Sequence, residues 1–471
     1  MQDRYCARQA ATVPVLCFGV YNNTHEVGEE MALYSKKLHV QKAGVVTDIN
    51  LYTTLSETGN SALAIKDGEA TVYAKLGAAT DALASPLRVR KNGEIYAVLK
   101  SAIKPGVAPL FAFKLSYSNY MSGYAGVIYG DRTESPTTFT SSVKVTGLNG
   151  DGAVFSFLQG DKSRLMLRQY NYTPYPPPNK IIDPVASSWI PSLIDANWNS
   201  VSNLHTVTTK GNLLYATGYD LGKIAVVNMN SGYAQMTHNY RFPTAWPEIF
   251  LPTGAECHGE GLTVVGDYLY ALFSVNPNGG YSVYSDSIVT KFYINRITGA
   301  LTYISHLEVG KNAFTLEPHN GKLYVCALGG MQNAGSSNPE TCLDIIDLAT
   351  FTRTTVSKAY GMNGDIRSIT IADDNHAYIF MGNYDNHYGK MIGSVYYTSI
   401  ANITAPASWS KVTDINNYGY LWGVYNDSSH LWLARGIFID IFETLPIAAA
   451  GPIKTFSFNF NLNLNSVTPV L

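Results

Sequence analysis

The sequence predicts an all-β protein: a six-bladed β-propeller, alternatively a seven-bladed one, preceded by a small β-hairpin domain. Three observations lead there. The 471 residues include 33 Tyr and 40 Gly and no long Ala/Leu/Glu/Lys stretch, a composition that favours strands and turns over helices. Asp67-Gly68 and Asn92-Gly93 stand between alternating apolar residues and supply the positive φ of tight hairpin turns. Beyond Gly106 a turn-plus-strand unit recurs with a period near 54 residues. The expected domains are a leader over 1–30, a hairpin attachment module over 31–105 and the propeller over 106–471.

No stretch of the chain approaches the roughly 18 apolar residues that span a bilayer. The one candidate signal core, Val13 to Val20, is brief, follows Asp3 and lacks a cleavage site of small residues, while Leu16 is too large to precede a lipoprotein cysteine at Cys17. The expectation is a chain made in the cytoplasm without a secretion signal. Codons for Gly28-Glu29-Glu30 are purine-rich and can serve as a ribosome-binding site, so the natural start is expected at Met31, with 1–30 untranslated or a flexible leader. A native protein whose intact mass includes Met1 would refute this.

Three hairpins follow. Lys37 to Val40 is joined to Val45 to Tyr52 through Lys42-Ala43-Gly44; Leu63-Ala64-Ile65 to Val72 to Leu76 through Lys66-Asp67-Gly68-Glu69; and Leu87 to Arg90 to Ile95 to Leu99 through Lys91-Asn92-Gly93-Glu94. Lys and Arg beside the turns suit solvated strand edges that resist pairing with other chains.

The same segment carries a family resemblance. Met31-Ala32-Leu33-Tyr34-Ser35, Ile49-Asn50-Leu51-Tyr52-Thr53-Thr54, Tyr73-Ala74-Lys75-Leu76-Gly77 and Leu87-Arg88-Val89-Arg90-Lys91-Asn92-Gly93, with Tyr96-Ala97-Val98-Leu99, resemble the amino-terminal module of prophage-encoded tail or surface proteins. The resemblance spans about 75 of the 471 residues. It implies an attachment piece for a larger virion or surface assembly, and it implies no catalytic residue.

The propeller repeat reads Gly150-Asp151-Gly152-Ala153-Val154-Phe155, Gly211-Asn212-Leu213-Leu214-Tyr215, Gly266-Asp267-Tyr268-Leu269-Tyr270, Asn320-Gly321-Lys322-Leu323-Tyr324, Asp374-Asn375-His376-Ala377-Tyr378 and Ser428-Ser429-His430-Leu431-Trp432. The aromatic positions are separated by 60, 55, 54, 54 and 54 residues. Apolar alternations precede and follow each copy, giving four antiparallel strands per period, the composition of a propeller blade. Six copies suggest six blades; a seventh arises if 110–117 and the carboxy-terminal segment 454–464 build one together. The proline-rich run Tyr170 to Pro178 is expected to be a stiff loop between the first two blades.

Propellers bind at the channel mouth, where one blade leads into the innermost strand of the next. Counting back from each aromatic places Asn203 and His205, His258 and Glu260, Asn312 and Phe314, Asp365 and Arg367, and Tyr418, Tyr420 and Trp422 at equivalent positions around that opening. Aromatic faces beside carboxylate, guanidinium and amide groups suit a sugar, whose apolar ring face packs on the aromatic while its hydroxyls are paired. The expected ligand-binding set is His205, His258, Glu260, Asn312, Asp365, Arg367, Tyr418, Tyr420 and Trp422. Glu256-Cys257-His258-Gly259-Glu260-Gly261 is the densest cluster; it serves loop structure, ligand binding, or acid/base chemistry, in which case Glu260 and Asp365 are the carboxylates and His258 assists. His319, His376 and His430 are expected to be turn residues.

Composition narrows the partners. Charged residues make up 14% and the net charge is −2, without basic runs, which argues against nucleic acid. Five cysteines without Cys-x-x-Cys spacing point to no zinc site; Cys326 and Cys342 either bridge or remain buried thiols. No cofactor is expected. The sequence is therefore expected to encode a non-enzymatic glycan- or host-receptor-binding protein at a virion or extracellular surface, with a polysaccharide-cleaving enzyme and a structural surface protein as alternatives.

Overall fold

The computed structural model describes the strands of an amino-terminal sheet between residues 36 and 99 and most of the chain from 108 to 471, apart from short segments of which the longest are 131–138, 170–179, 185–203 and 444–450. The chain divides into two compact units, Met1–Val107 with Asp131–Thr137, and Ala108–Gly130 with Thr138–Leu471. The expected leader, 1–30, lies outside the described residues.

In the first unit Lys36–Lys42 pairs antiparallel with Val45–Thr54, Ala62–Asp67 with Ala70–Leu76, and Arg88–Lys91 with Glu94–Leu99. These are the three hairpins expected from the Gly-containing turns. They join into one six-stranded sheet, in which the third hairpin attaches through Glu94–Leu99 to Ala70–Leu76.

The second unit is a seven-bladed propeller. Blade 1 runs, from the innermost strand outward, Leu462–Pro469, Ala108–Tyr117, Gly123–Gly130, Thr140–Leu148. Blade 2 comprises Gly152–Gln159, Lys162–Gln169 and Lys180–Ile182, and blade 3 Leu204–Lys210, Leu213–Gly218, Lys223–Asn228 and Gln235–Arg241. Blade 4 is Glu256–Val265, Tyr268–Asn276, Ser285–Ile294 and Leu301–Lys311, and blade 5 is Ala313–His319, Lys322–Ala327, Cys342–Asp347 and Thr352–Ser357. Blade 6 is Asp365–Asp373, His376–Tyr384, Lys390–Thr398 and Ser410–Tyr418, and blade 7 is Gly423–Asn426, His430–Arg435, Phe438–Glu443 and Lys454–Ser457. Each innermost strand touches that of the following blade, and the seventh touches the first, so the ring is closed.

Seven rather than six blades follow from how the ring closes. The two ends of the propeller segment share blade 1, with Leu462–Pro469 pairing on Ala108–Tyr117, so this blade never shows a complete repeat in the sequence. The segment 454–464 is in fact split between two blades, since Lys454–Ser457 is the outer strand of blade 7. The first counted copy is also displaced. Phe155 lies on the innermost strand of blade 2, whereas Tyr215, Tyr270, Tyr324, Tyr378 and Trp432 all lie on second strands. This displacement by one strand accounts for the interval of 60. The proline-rich residues 170–179 lie outside the described residues; the strands on either side belong to the same blade rather than to two.

The repeat aromatics are what a blade sheet needs when both faces must be covered. All five are at most 2% exposed, and each joins a core cluster containing residues of the following blade. Trp432 stacks on Phe111 of blade 1 at 4.6 Å with planes 3° apart, carrying the same contact across the closure. At roughly 25 cal/mol per Å² of apolar surface buried, such rings dominate blade cohesion. Turn residues add polar ties between blades: Lys210 Nζ donates to Asp267 Oδ1 at 2.5 Å, and His319 Nε2 and Asn320 Nδ2 meet Asp374 Oδ1 at 2.7 and 2.6 Å.

The other turn histidines are held locally, His376 Nδ1 by Asp373 at 2.6 Å and His430 Nδ1 by Asp427 Oδ2 at 3.1 Å. Cys326 and Cys342 lie on neighbouring strands as free, buried thiols, both pushed up to about 12 chiefly by burial. Among the described residues no helix is long and apolar enough to cross a membrane, and no three His, Cys, Asp or Glu side chains converge to hold a metal ion.

Candidate functional site

Four innermost strands share one irregularity. Their ladders skip between Leu204 and Thr206, Gly259 and Gly261, Ala313 and Thr315, and Ile366 and Ser368. The extra residue of each bulge is therefore His205, Glu260, Phe314 or Arg367, four of the positions that repeat counting selects. A bulge sets two residues against one and re-aims the side chain that the ladder leaves out. The same skip between Leu464 and Ser466 leaves out Asn465 in blade 1, a position that counting back from the aromatics does not reach.

Between blades 3 and 4 the bulge residues meet. His205 Nδ1 donates to Glu260 Oε2 at 3.1 Å, the buried Ser274 hydroxyl donates to Glu260 Oε1 at 2.7 Å, and Thr206 Oγ1 donates to the Glu260 carbonyl at 2.8 Å. Glu260 is 4% exposed through its side chain and His205 26%. The carboxylate is thus an internal brace that presents an accessible imidazole. With Nδ1 directed at the carboxylate, Nε2 is the ring nitrogen left to meet a hydroxyl.

Gly259 makes this approach possible. A Cβ there would lie 1.9 Å from Thr217 Oγ1 and 2.9 Å from the Gly218 carbonyl oxygen on the second strand of blade 3. Only a residue without a side chain lets the two blades come this close at the bulge.

Tyr219, just beyond that second strand, lies against both histidines. Its ring centroid is 4.6 Å from that of His205 and 4.3 Å from that of His258, the latter stacked within 15°. His258, expected in the ligand-binding set, is instead buried, with its ring packed on Tyr219. Tyr219 and Ser274 were not selected by counting back, yet both stand four residues after a repeat aromatic, Tyr215 and Tyr270; counting forward as well would have found them.

Around blades 5 and 6 the selected residues divide by role. Asn312 is buried at φ 51°, a left-handed conformation that Asn tolerates, and its carbonyl accepts from the Leu328 N–H at 3.1 Å, so it shapes the turn into blade 5. Asp365 Oδ1 accepts from the Asn338 N–H at 2.6 Å and the Ser337 hydroxyl at 3.2 Å, fastening a neighbouring loop; burial raises its pKa. Arg367 donates through Nε to the Gly382 carbonyl at 2.7 Å, and its guanidinium lies 5.2 Å from the Tyr384 ring centroid. Burial pulls its pKa down. Tyr418 ends the outer strand of blade 6, while Tyr420 and Trp422 lie outside the described residues.

The chain matches no protein-family model and no curated protein. It superposes on solved structures that include a suggested 6-phosphogluconolactonase of Bacteroides fragilis (TM-score 0.49, 14% identity, 77% of this chain and 98% of that one). A periplasmic gluconolactonase of Pseudomonas aeruginosa gives a TM-score of 0.48 at 10% identity, over 77% and 99% of the two chains. A chain of a nidogen/laminin complex gives 0.39 at 9%, also over 77% and 99%. Likeness at this level concerns the course of the chain and not the chemistry of the site.

Proposed function

We propose that this chain is a non-enzymatic glycan-binding protein of a phage-tail or bacterial surface assembly, with the hairpin module as its attachment piece and the propeller mouth as its binding face. The observation that carries the binding half is the His205–Glu260–Tyr219 group. A carboxylate held by Ser274 fixes an accessible imidazole beside an aromatic ring, which supplies the directed polar group and the apolar face that a pyranose needs. The attachment half rests on the resemblance of residues 31–105 alone. On this reading the protein works at a virion or extracellular surface.

A glycan array probed with the full chain tests it. Binding that His205→Ala weakens at least tenfold, in a protein that melts normally, supports the reading; an array without hits leaves the scaffolding alternative. A second reading, polysaccharide cleavage, is favoured by one observation: an imidazole braced by a carboxylate is also the arrangement of a general base. Its second carboxylate, Asp365, is already engaged by Ser337 and Asn338. Release of reducing ends from cell-envelope polysaccharide, lost in Glu260→Gln, would establish cleavage.

A further inference from the structure

Among the described bulge residues of the innermost strands Arg367 alone carries a full positive charge, and that charge is answered only through space, by the Asp365 carboxylate, without a direct ion pair. It occupies the register position of Glu260 one blade pair further round the ring, and the two use equivalent inner partners: Glu260 meets Ser274 and Arg367 meets Gly382, each four residues beyond the repeat aromatic of its blade. The outer partners differ. Glu260 is completed by His205, the bulge residue of the preceding blade, whereas the corresponding residue before Arg367 is Phe314, 41% exposed and unable to accept a hydrogen bond.

Arg367 is 8% exposed, and only its Nε has a hydrogen-bond partner among the described residues. Its terminal Nη1 and Nη2 groups have none there; Asp365, two residues away, attracts the guanidinium through space but gives its Oδ1 to Ser337 and Asn338 and forms no direct ion pair with it. The Tyr384 ring packs beside the guanidinium without neutralising it. A buried guanidinium is costly unless paired, and its two terminal nitrogens form a fork that matches two oxygens of one anionic group.

We infer that Arg367 is the anchor for an anionic substituent of the ligand, so that the glycan of the preceding section is an acidic saccharide carrying a carboxylate, sulfate or phosphate. This rests on the glycan reading for the identity of the ligand but not for the presence of the anion site. Phe314, exposed at the bulge beside it, offers the apolar face on which the saccharide ring carrying that substituent would lie.

The test separates the two. Sodium glucuronate, sulfate and phosphate, with glucose as the neutral control, are titrated into the full chain and followed by calorimetry. At least one anion is expected to bind saturably where glucose does not; Arg367→Gln should weaken it tenfold or more, and Arg367→Lys, which keeps the charge but loses the fork, should fall between. The anion that binds identifies the substituent. Phe314→Glu is the second variant: it places a carboxylate where His205 stands relative to Glu260, so it should pair with Arg367 and abolish anion binding with the guanidinium intact. A purely structural Arg367 would instead lower the melting temperature by several degrees in Arg367→Gln while leaving any anion affinity unchanged. That result, or the absence of saturable anion binding in the wild-type chain, overturns the inference. Anion binding without any array hit would sink the glycan reading and leave the anion site standing.

Discussion

Gly259→Ala tests whether the close approach of blades 3 and 4 builds the candidate site. The added Cβ would stand 1.9 Å from Thr217 Oγ1, 3.1 Å from Thr217 Cβ and 2.9 Å from the Gly218 carbonyl oxygen. Rotating the Thr217 side chain away would relieve the first contact but break its hydrogen bond to the Lys223 carbonyl, 3.0 Å long, at about 0.5–1.5 kcal/mol. The Gly218 oxygen is backbone and cannot rotate away, so the strands must separate, an overpacking cost of about 1–3 kcal/mol. Together these give about 1.5–4.5 kcal/mol, or a fall in melting temperature of roughly 2–6 °C at about 1.3 °C per kcal/mol for a unit of this size. Denaturant and thermal unfolding measure it, and glycan binding should weaken in parallel because Glu260 is the next residue. The double variant Thr217→Ala/Gly259→Ala should recover part of the loss, with a coupling of about 1 kcal/mol, since it removes the nearest of the three atoms. A Gly259→Ala protein within 1 °C of wild type, by the same roughly 1.3 °C per kcal/mol, would show that the blades are not packed this tightly and would refute the argument.

Three further outcomes follow from the same geometry. Glu260→Ala strands the buried Ser274 hydroxyl and is expected to cost about 1–3 kcal/mol by chemical denaturation, while Glu260→Gln keeps an acceptor for it and should cost less and retain much of the glycan affinity. Burial raises the pKa of Glu317, on the innermost strand of blade 5, to about 7, partly offset by the Ile371 N–H. The folded chain therefore holds a proton that the unfolded chain releases from pH about 4.5 upward, so stability attributable to this group falls between pH about 4.5 and 7, by at most about 3 kcal/mol, and Glu317→Gln should flatten that slope. Asp427 accepts from the His430 N–H, His430 Nδ1 and Trp432 Nε1, all buried; Asp427→Ala should cost about 3 kcal/mol or more, whereas Asp374→Ala, at an exposed turn, should cost less than about 1 kcal/mol in the same unfolding assay.

The repeat was legible because one packing need recurs. Blades 3 to 7 each place a large ring on the second strand to fill the wedge against the next blade, and Tyr215, Tyr270, Tyr324, Tyr378 and Trp432 supply it at nearly constant spacing. Blade 1 escaped the count because its strands come from both ends of the segment, and the chain path alone does not reveal that 462–469 inserts beside 108–117. The bulge positions could be selected by counting, since His205, Glu260, Phe314 and Arg367 keep the period of the aromatics. What spacing could not distinguish is whether a polar residue there faces a ligand or its own backbone. Asn312 and Asp365 passed the same count, yet one shapes a turn and the other fastens a loop.

The chemical variety at the bulges has a physical explanation. Along a regular innermost strand every side chain is assigned either to the blade interface or to the channel by the two-residue period, and a slip of one residue exchanges the two sets. The bulge absorbs that slip at one residue, so Cys257 and Gly259 above it and Leu262 and Val264 below it keep their own pairings while Glu260 stands outside the ladder. A residue outside the ladder has no cross-strand partner to match, which is why imidazole, carboxylate, phenyl and guanidinium can occupy one register position in four consecutive blades. Its side chain is then selected by what the neighbouring bulge offers. His205 answers Glu260, but Phe314 does not answer Arg367, so one bulge pair is chemically complete while the other leaves the ends of a guanidinium fork without a hydrogen-bond partner among the described residues.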